Sequence, residues 1–410
     1  MNIKKLRNDF PLLSEENQKN RKSKKNMPIY FDNACMSLKP IQVVEAMNQY
    51  YTEFPGCAGR SAHSISTKVN DEVYNARNTI KKFINAKRTE EIIFTRNTTE
   101  AINLVANSIN FKKGDVVIQT DKEHNSNLVP WLIKQKNIGI KREFINSNSD
   151  NTFNLDEFEE KLAKLNNKVK LVAMGHTSNL DGTTIPADKI IKIAHKQGAL
   201  VLLDAAQSAP HHELNVKRLD ADFVAFSGHK MLGPSGIGAL YGKKEQLEKL
   251  NTFIVGGDTV SETTQNSFKL EGLPNKFEAG LQDYAGIIGF GAACKYLNKV
   301  GIKNIAKQEF KLNSLMTEEL LEFSKLNLIG PKDPKLRGGI FNFMVDEIDP
   351  HQIAIMLDQS KNIMIRSGAH CNHSWFNAHK LKGSARASTY FYNTEEEVET
   401  FVETLKKIVF

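Results

Sequence analysis

Two apolar runs near the middle of the chain end in side chains that could do chemistry. Asp204 ends the run ALVLLD, and Gln207 follows in the next turn. Ser227, His229 and Lys230 follow the next run, DFVAFS. A buried lysine amine loses its proton more easily and can then condense with an aldehyde. A carboxylate opposite a pyridine nitrogen keeps that nitrogen protonated and makes the ring an electron sink. The spacing therefore suits an aldehyde-bearing heterocycle.

Two further predicted strands end beside groups that suit the same ligand, one set for its phosphate and one histidine for its ring. Asn97 and Glu100 fit a capping arrangement at the start of a helix. The backbone amides of Thr98 and Thr99 at that helix start could receive the phosphate, and nearby hydroxyl and imidazole groups could add donors. His124 follows another strand, where it could stack on the ring or shuttle protons. Together these groups predict a site for pyridoxal 5'-phosphate (PLP).

These residues are placed by an alternation of strand-like and helix-like patterns. Five apolar runs predict strands, at 90–95, 115–120, 170–175, 199–204 and 222–227. Helical patterns lie between them, at 99–109, 155–165 and 187–197. This order predicts an α/β fold with a mostly parallel sheet, and such sheets bind ligands outside the carboxyl ends of their strands.

The C-terminal third of the chain has a different pattern. Two long helical segments span 282–325, followed by a strand (339–345), a helix (352–359), a short strand (362–366) and an amphipathic helix (395–409). We expect a smaller α+β unit that packs with the N-terminal segment. The predicted division is a large domain at 30–290 and a small domain made of 1–29 and 291–410.

Composition argues against several other classes of protein. Lys and Arg (55) exceed Asp and Glu (47) by a net charge of +8, which is spread along the chain. This mild excess suits an anionic ligand and does not demand nucleic acid. The basic run at 19–25 predicts a solvated linker, although it also motivates a non-catalytic basic binding module as a second hypothesis. A yellow protein that bleaches on Lys230→Ala substitution would dismiss that module.

The compartment can be inferred from the first residues and from the cysteines. MNIKKLRNDFPLL lacks the apolar run of a signal peptide, and no stretch of about 18 apolar residues predicts a membrane span. The four cysteines are sparse and show no CxxC spacing, which favours free thiols over disulfides. We therefore expect a cytoplasmic protein with no membrane or nucleic-acid partner.

The chain also resembles a known family over nearly its whole length. The matching segments are LRNDFPLL (6–13), YFDNAC (30–35), TRNTTEAINLVA (95–106), EHNSNLVPW (123–131), LLDAAQSAPH (202–211), FSGHKMLGPSGIGALYGK (226–243), FEAG (277–280), IRSGAHC (365–371) and RASTYFYNT (386–394). They resemble the class V aminotransferases among fold-type I PLP enzymes, and most of all the SufS-type (group II) cysteine desulfurases and selenocysteine lyases. The resemblance implies a seven-stranded, mostly parallel sheet in the large domain and a smaller α+β domain.

The resemblance also implies roles for the matching side chains. Cofactor contacts would come from Thr98, Thr99, His124, Asp204, Gln207, Ser227, His229 and Lys230, with Lys230 as the Schiff-base lysine. Substrate contacts would come from Asn179, Arg366 and Arg386. Lys230, His124 and Cys371 would be catalytic, with Cys371 as the sulfur acceptor.

The implied reaction converts L-cysteine to L-alanine and leaves a persulfide on Cys371, for iron-sulfur cluster assembly or other sulfur metabolism. Only 15 positions separate Cys371 from Arg386, which suits a constrained loop. Alternatives are selenocysteine lysis, transamination, epimerisation and β-elimination. The family also implies a homodimer and a sulfur-acceptor protein. A metal site is a further alternative, suggested by His370, Cys371, His373 and His379. Because Cys-x-His is not a common zinc pattern, no metal is expected.

Five positions depart from the family pattern, one of which is Cys35, in place of a frequent small residue. Asn97 stands where a glycine is usual, and Asn125 replaces the second histidine of a His-His pair. Leu281 replaces a threonine that reaches the partner subunit's phosphate in the family, and Ala369 replaces another histidine. These changes leave the PLP prediction intact and weaken the assignment to one substrate.

Overall fold

The computed structural model describes residues 1–16, 27–59 and 61–410, so the predicted linker at 19–25 lies outside the described residues. Its main feature is a seven-stranded sheet. In spatial order the strands are Ile92–Thr95, Gly238–Gly242, Phe223–Ser227, Leu200–Asp204, Val169–Gly175, Val116–Thr120 and Lys141–Ile145. Within this sheet, Gly238–Gly242 alone runs antiparallel to its neighbours. The predicted mostly parallel α/β fold is confirmed.

Both faces of this sheet are buried. In the strand Leu200–Asp204, Val201 and Leu203 belong to one apolar cluster and Leu202 to another. Alternate side chains of a strand point to opposite faces, so a continuously apolar strand needs helices on both sides. Those helices are Ile41–Glu53, Ser64–Phe83, Thr98–Ser108, Val129–Ile138, Leu155–Leu165, Ala187–Lys196 and Tyr284–Val300.

A second sheet is built from later residues. Its four antiparallel strands lie in the order Leu326–Ile329, Ile340–Val345, Ser384–Ser388 and Arg366–Gly368. The helices Ile302–Leu320, Pro350–Lys361 and Glu395–Val409 pack against it. The predicted smaller α+β unit is therefore present. The division at residue 290 stays a prediction, because the helix Tyr284–Val300 runs through it.

The strand predicted at 362–366 is two strands with different partners. Ile363–Met364 pairs in parallel with Ile29–Tyr30, while Arg366–Gly368 pairs with Ser384–Ser388. The N-terminal segment therefore does contact this unit. Apart from short 3-10 turns, the remaining described elements are a hairpin of Val260–Thr263 with Phe268–Leu270 and the short helices Ile3–Arg7, Val216–Leu219, Lys244–Lys249 and His373–Ala378.

The two sheets meet beside the chain segment at 179–183. Asn342 in the second sheet donates to the Leu180 carbonyl at 2.8 Å, and the Gly338 amide donates to the Gly182 carbonyl at 2.9 Å. This junction brings the strand Ser384–Ser388 close to the carboxyl ends of the large sheet. No helix among the described residues is long and apolar enough to cross a bilayer.

Candidate active site

A cavity of about 240 Å³ opens at the carboxyl ends of the parallel strands. It brings together nearly all of the side chains that the sequence singled out. The predicted residues that line it are Thr98, Thr99, His124, Asn179, Asp204, Gln207, Ser227, His229, Lys230, Arg366 and Arg386. Cys371 is not part of this lining, but its Sγ lies 3.7 Å from Nη2 of Arg366.

Asp204 and Lys230 form the electrostatic centre of the cavity. Burial raises the pKa of the Asp204 carboxyl, although the Ala206 amide donates to its Oδ1 at 3.0 Å. Burial also lowers the pKa of the Lys230 amine, and Asp204 opposes that shift. An amine whose pKa is lowered by burial, beside a buried carboxyl group, suits a cationic heterocycle carrying an aldehyde.

The turn that carries Lys230 is held by a segment far away in the sequence. The His229 carbonyl accepts from the Ser37 amide and the Ser37 hydroxyl, both at 3.1 Å, and from Nζ of Lys39 at 3.0 Å. Burial lowers the pKa of Lys39 to about 8. Sequence reasoning missed Ser37 and Lys39, since they lie in irregular chain before a helix. Their place in the quoted resemblance, just after YFDNAC, was the available signal.

The start of the helix Thr98–Ser108 forms another wall of the cavity. Asn97 caps this helix, as predicted, by accepting from the Glu100 amide at 3.0 Å. The Thr98 amide already donates to Oγ of Ser227 at 2.8 Å, so it is engaged within the protein. Oγ1 of Thr99 lies 2.7 Å from Oγ of Ser126. These hydroxyls and the helix N-terminus suit an anionic group such as a phosphate.

A glycine permits this helix start to sit so close to the sheet. A Cβ on Gly238 would lie 2.7 Å from the Phe226 carbonyl oxygen and 2.8 Å from Cα of Asn97. Both neighbours are backbone atoms, which cannot move aside cheaply. The antiparallel strand Gly238–Gly242 can therefore pass beneath the helix start only with glycine at its first position.

His124 is neutral in this cavity. Burial and the nearby Lys230 lower its pKa to about 3. Nδ1 accepts from the Ser126 amide at 3.1 Å, which leaves the proton of the neutral ring on Nε2. A neutral imidazole held at one edge suits stacking on a flat ring.

Glu123, the first residue of the segment EHNSNLVPW, is a buried residue in the lining of the cavity. Its buried carboxylate accepts from Oγ1 of Thr120 at 2.6 Å, from Nδ2 of Asn127 at 2.7 Å and from the Gly175 amide at 2.9 Å. Burial nevertheless raises its pKa to about 7. The carboxyl group ties together the ends of two strands directly beside His124.

Arg386 and Arg366 supply positive charge on the side of the second sheet. Arg386 is fully buried, and its Nη1 donates to the Asn179 carbonyl at 2.8 Å. Its Nε and Nη2 have no hydrogen-bond partner among the described residues, although Nη2 lies 3.5 Å from Oδ1 of Asp32. Burial lowers the pKa of Arg386 to about 10. A buried guanidinium with open N–H groups matches a carboxylate ligand.

The loop with Cys371 has an unusual backbone. His370 and Cys371 have φ of 49° and 61°, and each such non-glycine residue costs about 1–3 kcal/mol. The Asn125 amide donates to the Cys371 carbonyl at 2.8 Å, and Nδ2 of Asn125 lies 2.9 Å from Nδ1 of His373. Across the described residues, no cluster of three His, Cys, Asp or Glu side chains could hold a metal ion.

These observations test the fit of a PLP-like group. The cavity has hydroxyls and a helix N-terminus at one end, a buried carboxyl and an amine in the middle, and a neutral imidazole beside them. The donor set therefore fits a phosphorylated pyridine aldehyde. Leu281, the departure that concerns the partner subunit, is 63% exposed and lies away from this lining.

Comparison with known proteins agrees with this fold and donor set. The class-V aminotransferase model matches residues 29–401, so the chain belongs to that family, whose members depend on PLP. The protein named "Probable cysteine desulfurase" in Synechocystis is 41% identical over 98% of this chain and 95% of its own length. The protein of the same name in Pyrococcus abyssi is 40% identical over 98% and 97%.

Solved structures lead to the same group of enzymes. The apo cysteine desulfurase of Thermococcus onnurineus superposes with a TM-score of 0.92 at 38% identity, over 99% of this chain and 97% of its own. The cysteine desulfurase CsdA of Escherichia coli gives 0.89 at 31% identity, over 99% and 98%. The resemblance seen in the sequence motifs is confirmed.

Proposed function

We propose that this chain is a PLP-dependent cysteine desulfurase that converts L-cysteine to L-alanine and retains the sulfur as a persulfide on Cys371. One observation carries the proposal. Arg366 lines the cavity with Lys230 and Asp204, and its Nη2 lies 3.7 Å from Sγ of Cys371. A thiol therefore stands at the edge of the cavity, within reach of a bound amino acid.

The chain's own groups divide the work. Bound PLP would supply an electron sink for charge that develops at the substrate α-carbon. The amine of Lys230 removes the α-proton, and its pKa, which burial lowers, suits it to act as a base. The open N–H groups of Arg386 bind the substrate carboxylate, and the Asn179 carbonyl fixes that guanidinium. Asp204 would hold the pyridine nitrogen of PLP in its protonated form.

Sulfur transfer needs no external oxidant. Sγ of Cys371 attacks the substrate sulfur, an S–S bond forms and the substrate's C–S bond breaks. The carbon that loses sulfur takes up a proton and becomes the methyl group of alanine. The cationic Arg366 beside Sγ stabilises negative charge on the attacking sulfur.

The remaining roles are also part of this proposal. Thr98, Thr99, Ser227 and His229 would meet the phosphate, Gln207 the ring hydroxyl and His124 the ring face, as the family resemblance implies. We further propose a homodimer, supported by exposed Tyr51, Tyr74 and Phe268. The persulfide would pass to an acceptor protein in the cytoplasm, where the chain's four free cysteines are expected to remain reduced.

Product analysis tests the proposal. Purified protein with PLP is mixed with L-cysteine, with and without a thiol reductant, and alanine and sulfide are measured. We expect alanine in both samples, with sulfide in excess of one equivalent only when the reductant is present. Keto acid or racemised cysteine in place of alanine would show another class-V reaction. A parallel run with selenocysteine establishes the preferred substrate.

A further inference from the structure

The loop around Cys371 is held in a conformation that its residues do not favour. His370 and Cys371 are consecutive, and both lie in the left-handed region of backbone space. Residues with a Cβ rarely adopt it, and two in a row are rarer still. Such a loop relaxes to another shape unless the surrounding structure holds it. The hydrogen bonds of the neighbouring residues therefore decide where the thiol stands.

Asn372 makes the central contacts of this loop. It is fully buried, with 0% of its surface exposed. Its Nδ2 donates to the Lys122 carbonyl at 2.8 Å, and its Oδ1 accepts from Nδ2 of Asn179 at 2.7 Å. Nδ2 of Asn179 also donates to the His370 carbonyl at 2.8 Å. The side chain of Asn372 thus joins the loop to two different strand ends of the large sheet.

The two segments that bond the Asn372 side chain are also tied to each other. Lys122 is buried, and its Nζ forms an ion pair with Asp181 at 2.7 Å and bonds Oγ1 of Thr183 at 2.6 Å. On its other side, the loop is held by the Asn125 amide, which donates to the Cys371 carbonyl. His370 and Cys371 are therefore held by contacts to two segments of the chain. One segment carries His124, and the other carries Asn179.

We propose that Asn372 is a positioning residue that holds the Cys371 thiol beside Arg366 at the edge of the cofactor cavity. The idea rests on the proposed function, in which Cys371 accepts sulfur. Asn372 does not touch the reacting atoms. It keeps the loop closed by donating to the buried Lys122 carbonyl and by accepting from Nδ2 of Asn179, which also donates to the His370 carbonyl. Those two bonds offset the left-handed backbone of the residues just before it.

The variant Asn372→Ala removes both bonds and leaves Cys371 in place. Loop opening exposes the thiol, so Cys371 should react with iodoacetamide at least about fivefold faster in the holoenzyme without substrate. Misplacement of the thiol should lower kcat for alanine about tenfold or more. KM for L-cysteine should change less than kcat, because the Asn179 backbone carbonyl still holds Arg386 and the Asn179 side chain loses only one of its two partners.

Two further variants make the result specific. Asn377→Ala changes an exposed asparagine on the short helix His373–Ala378 and should behave as wild type in both assays. Asn372→Asp keeps the acceptor for Asn179 but loses the donor to Lys122, so alkylation should fall between wild type and Asn372→Ala. The Cys371 peptide is followed by mass spectrometry, which separates it from the other three cysteines.

The outcomes separate this inference from the proposed function. If Asn372→Ala alkylates and turns over as Asn377→Ala does, and only its melting temperature falls, the positioning role is wrong. If Asn372→Ala does not fold, exchange of the Asn125 amide in the wild-type holoenzyme decides, since a fast exchange would contradict a fixed loop. If Asn372→Ala is alkylated faster but the wild-type protein makes no alanine from L-cysteine, the positioning role of Asn372 stands and the proposed desulfurase activity is wrong.

Discussion

The two sides of the candidate site are held in place by different kinds of structure. The cofactor side is built from strand ends of the large sheet, with Lys230 fixed through the backbone carbonyl of His229. The Cys371 side is a loop whose two central residues have a left-handed backbone and depend on side-chain amides. The first side is rigid because the sheet is rigid. The second has a defined shape only while a few hydrogen bonds last, so the two should respond differently to substitution.

The largest difference is expected when Lys230 is removed. Lys230→Ala deletes the amine that binds the cofactor and moves the α-proton, so alanine formation from L-cysteine should fall at least about a thousandfold. The yellow colour of the purified protein should also weaken. Amino-acid analysis and an absorbance spectrum measure both. Lys249→Ala, an exposed lysine on the helix Lys244–Lys249, is the matched control. Alanine production near the wild-type rate would remove Lys230 from the mechanism.

Removing the Cys371 thiol should affect only the Cys371 side of the site. Cys371→Ala should lower alanine formation from L-cysteine at least about a hundredfold, because the nucleophile is lost. The absorbance of bound PLP should be unchanged, since the cofactor side does not depend on the loop. Cys57→Ala serves as the control for a cysteine outside the cavity. A variant that keeps full sulfur transfer to a thiol acceptor would mean that another group receives the sulfur.

The buried Glu123 gives the cofactor side a pH signature. Its pKa is raised to about 7 from the ordinary value of 4.5. The folded protein therefore holds a proton in this interval that the unfolded chain has lost, so this carboxyl weakens the fold as pH rises through it. The expected loss of stability is about 3 kcal/mol.

The variant Glu123→Gln cannot titrate and should lose that dependence. Its melting temperature should therefore improve relative to wild type as pH rises from 4.5 to 7. The Gln side chain also loses acceptors for Asn127 and Gly175, which lowers its stability at every pH. Exposed Glu159→Gln provides the control. If the difference in melting temperature between Glu123→Gln and wild type stays constant with pH, the pKa of Glu123 is not raised.

The smallest effect is expected at Asn125. Its side chain meets His373 at the surface, while its backbone amide holds the Cys371 carbonyl. Asn125→Ala removes only the surface bond, worth about 0.5–1.5 kcal/mol at most. Turnover should change less than about threefold. A much larger loss would show that the loop depends on this side chain as well, which would remove the contrast with Asn372.

Much of the cofactor side could be predicted from the sequence alone. Lys230 and Asp204 follow continuously apolar strands, and a parallel sheet gathers such strand ends at one edge. Three strands carried weaker signals. Gly238–Gly242 contains glycines at both ends, Lys141–Ile145 begins with two charged residues, and Ser384–Ser388 has only small side chains apart from Arg386. The seven-stranded count came from the family resemblance and not from periodicity.

The contacts of the Cys371 side were beyond sequence reasoning. The sequence around Asn372 does not show that this side chain is buried and bonds two other segments. Likewise, the sequence around Asp32 does not show that its carboxylate lies beside Arg386. The left-handed backbone of His370 and Cys371 also could not be predicted, because neither residue is a glycine. These features arise where the two sheets meet, and their partners are far apart in the sequence. Local pattern carries no information on such pairings.

The order in which the two sides occur along the chain has a consequence for biosynthesis. The strand ends around Asp204 and Lys230, and the Ser37 and Lys39 groups that support them, all precede residue 243. The arginines that receive the amino acid come only with the second sheet. During translation, the residues that capture the cofactor are therefore synthesised before Arg366 and Arg386. A ribosome-bound chain could acquire its vitamin-derived group before it can act on any amino acid.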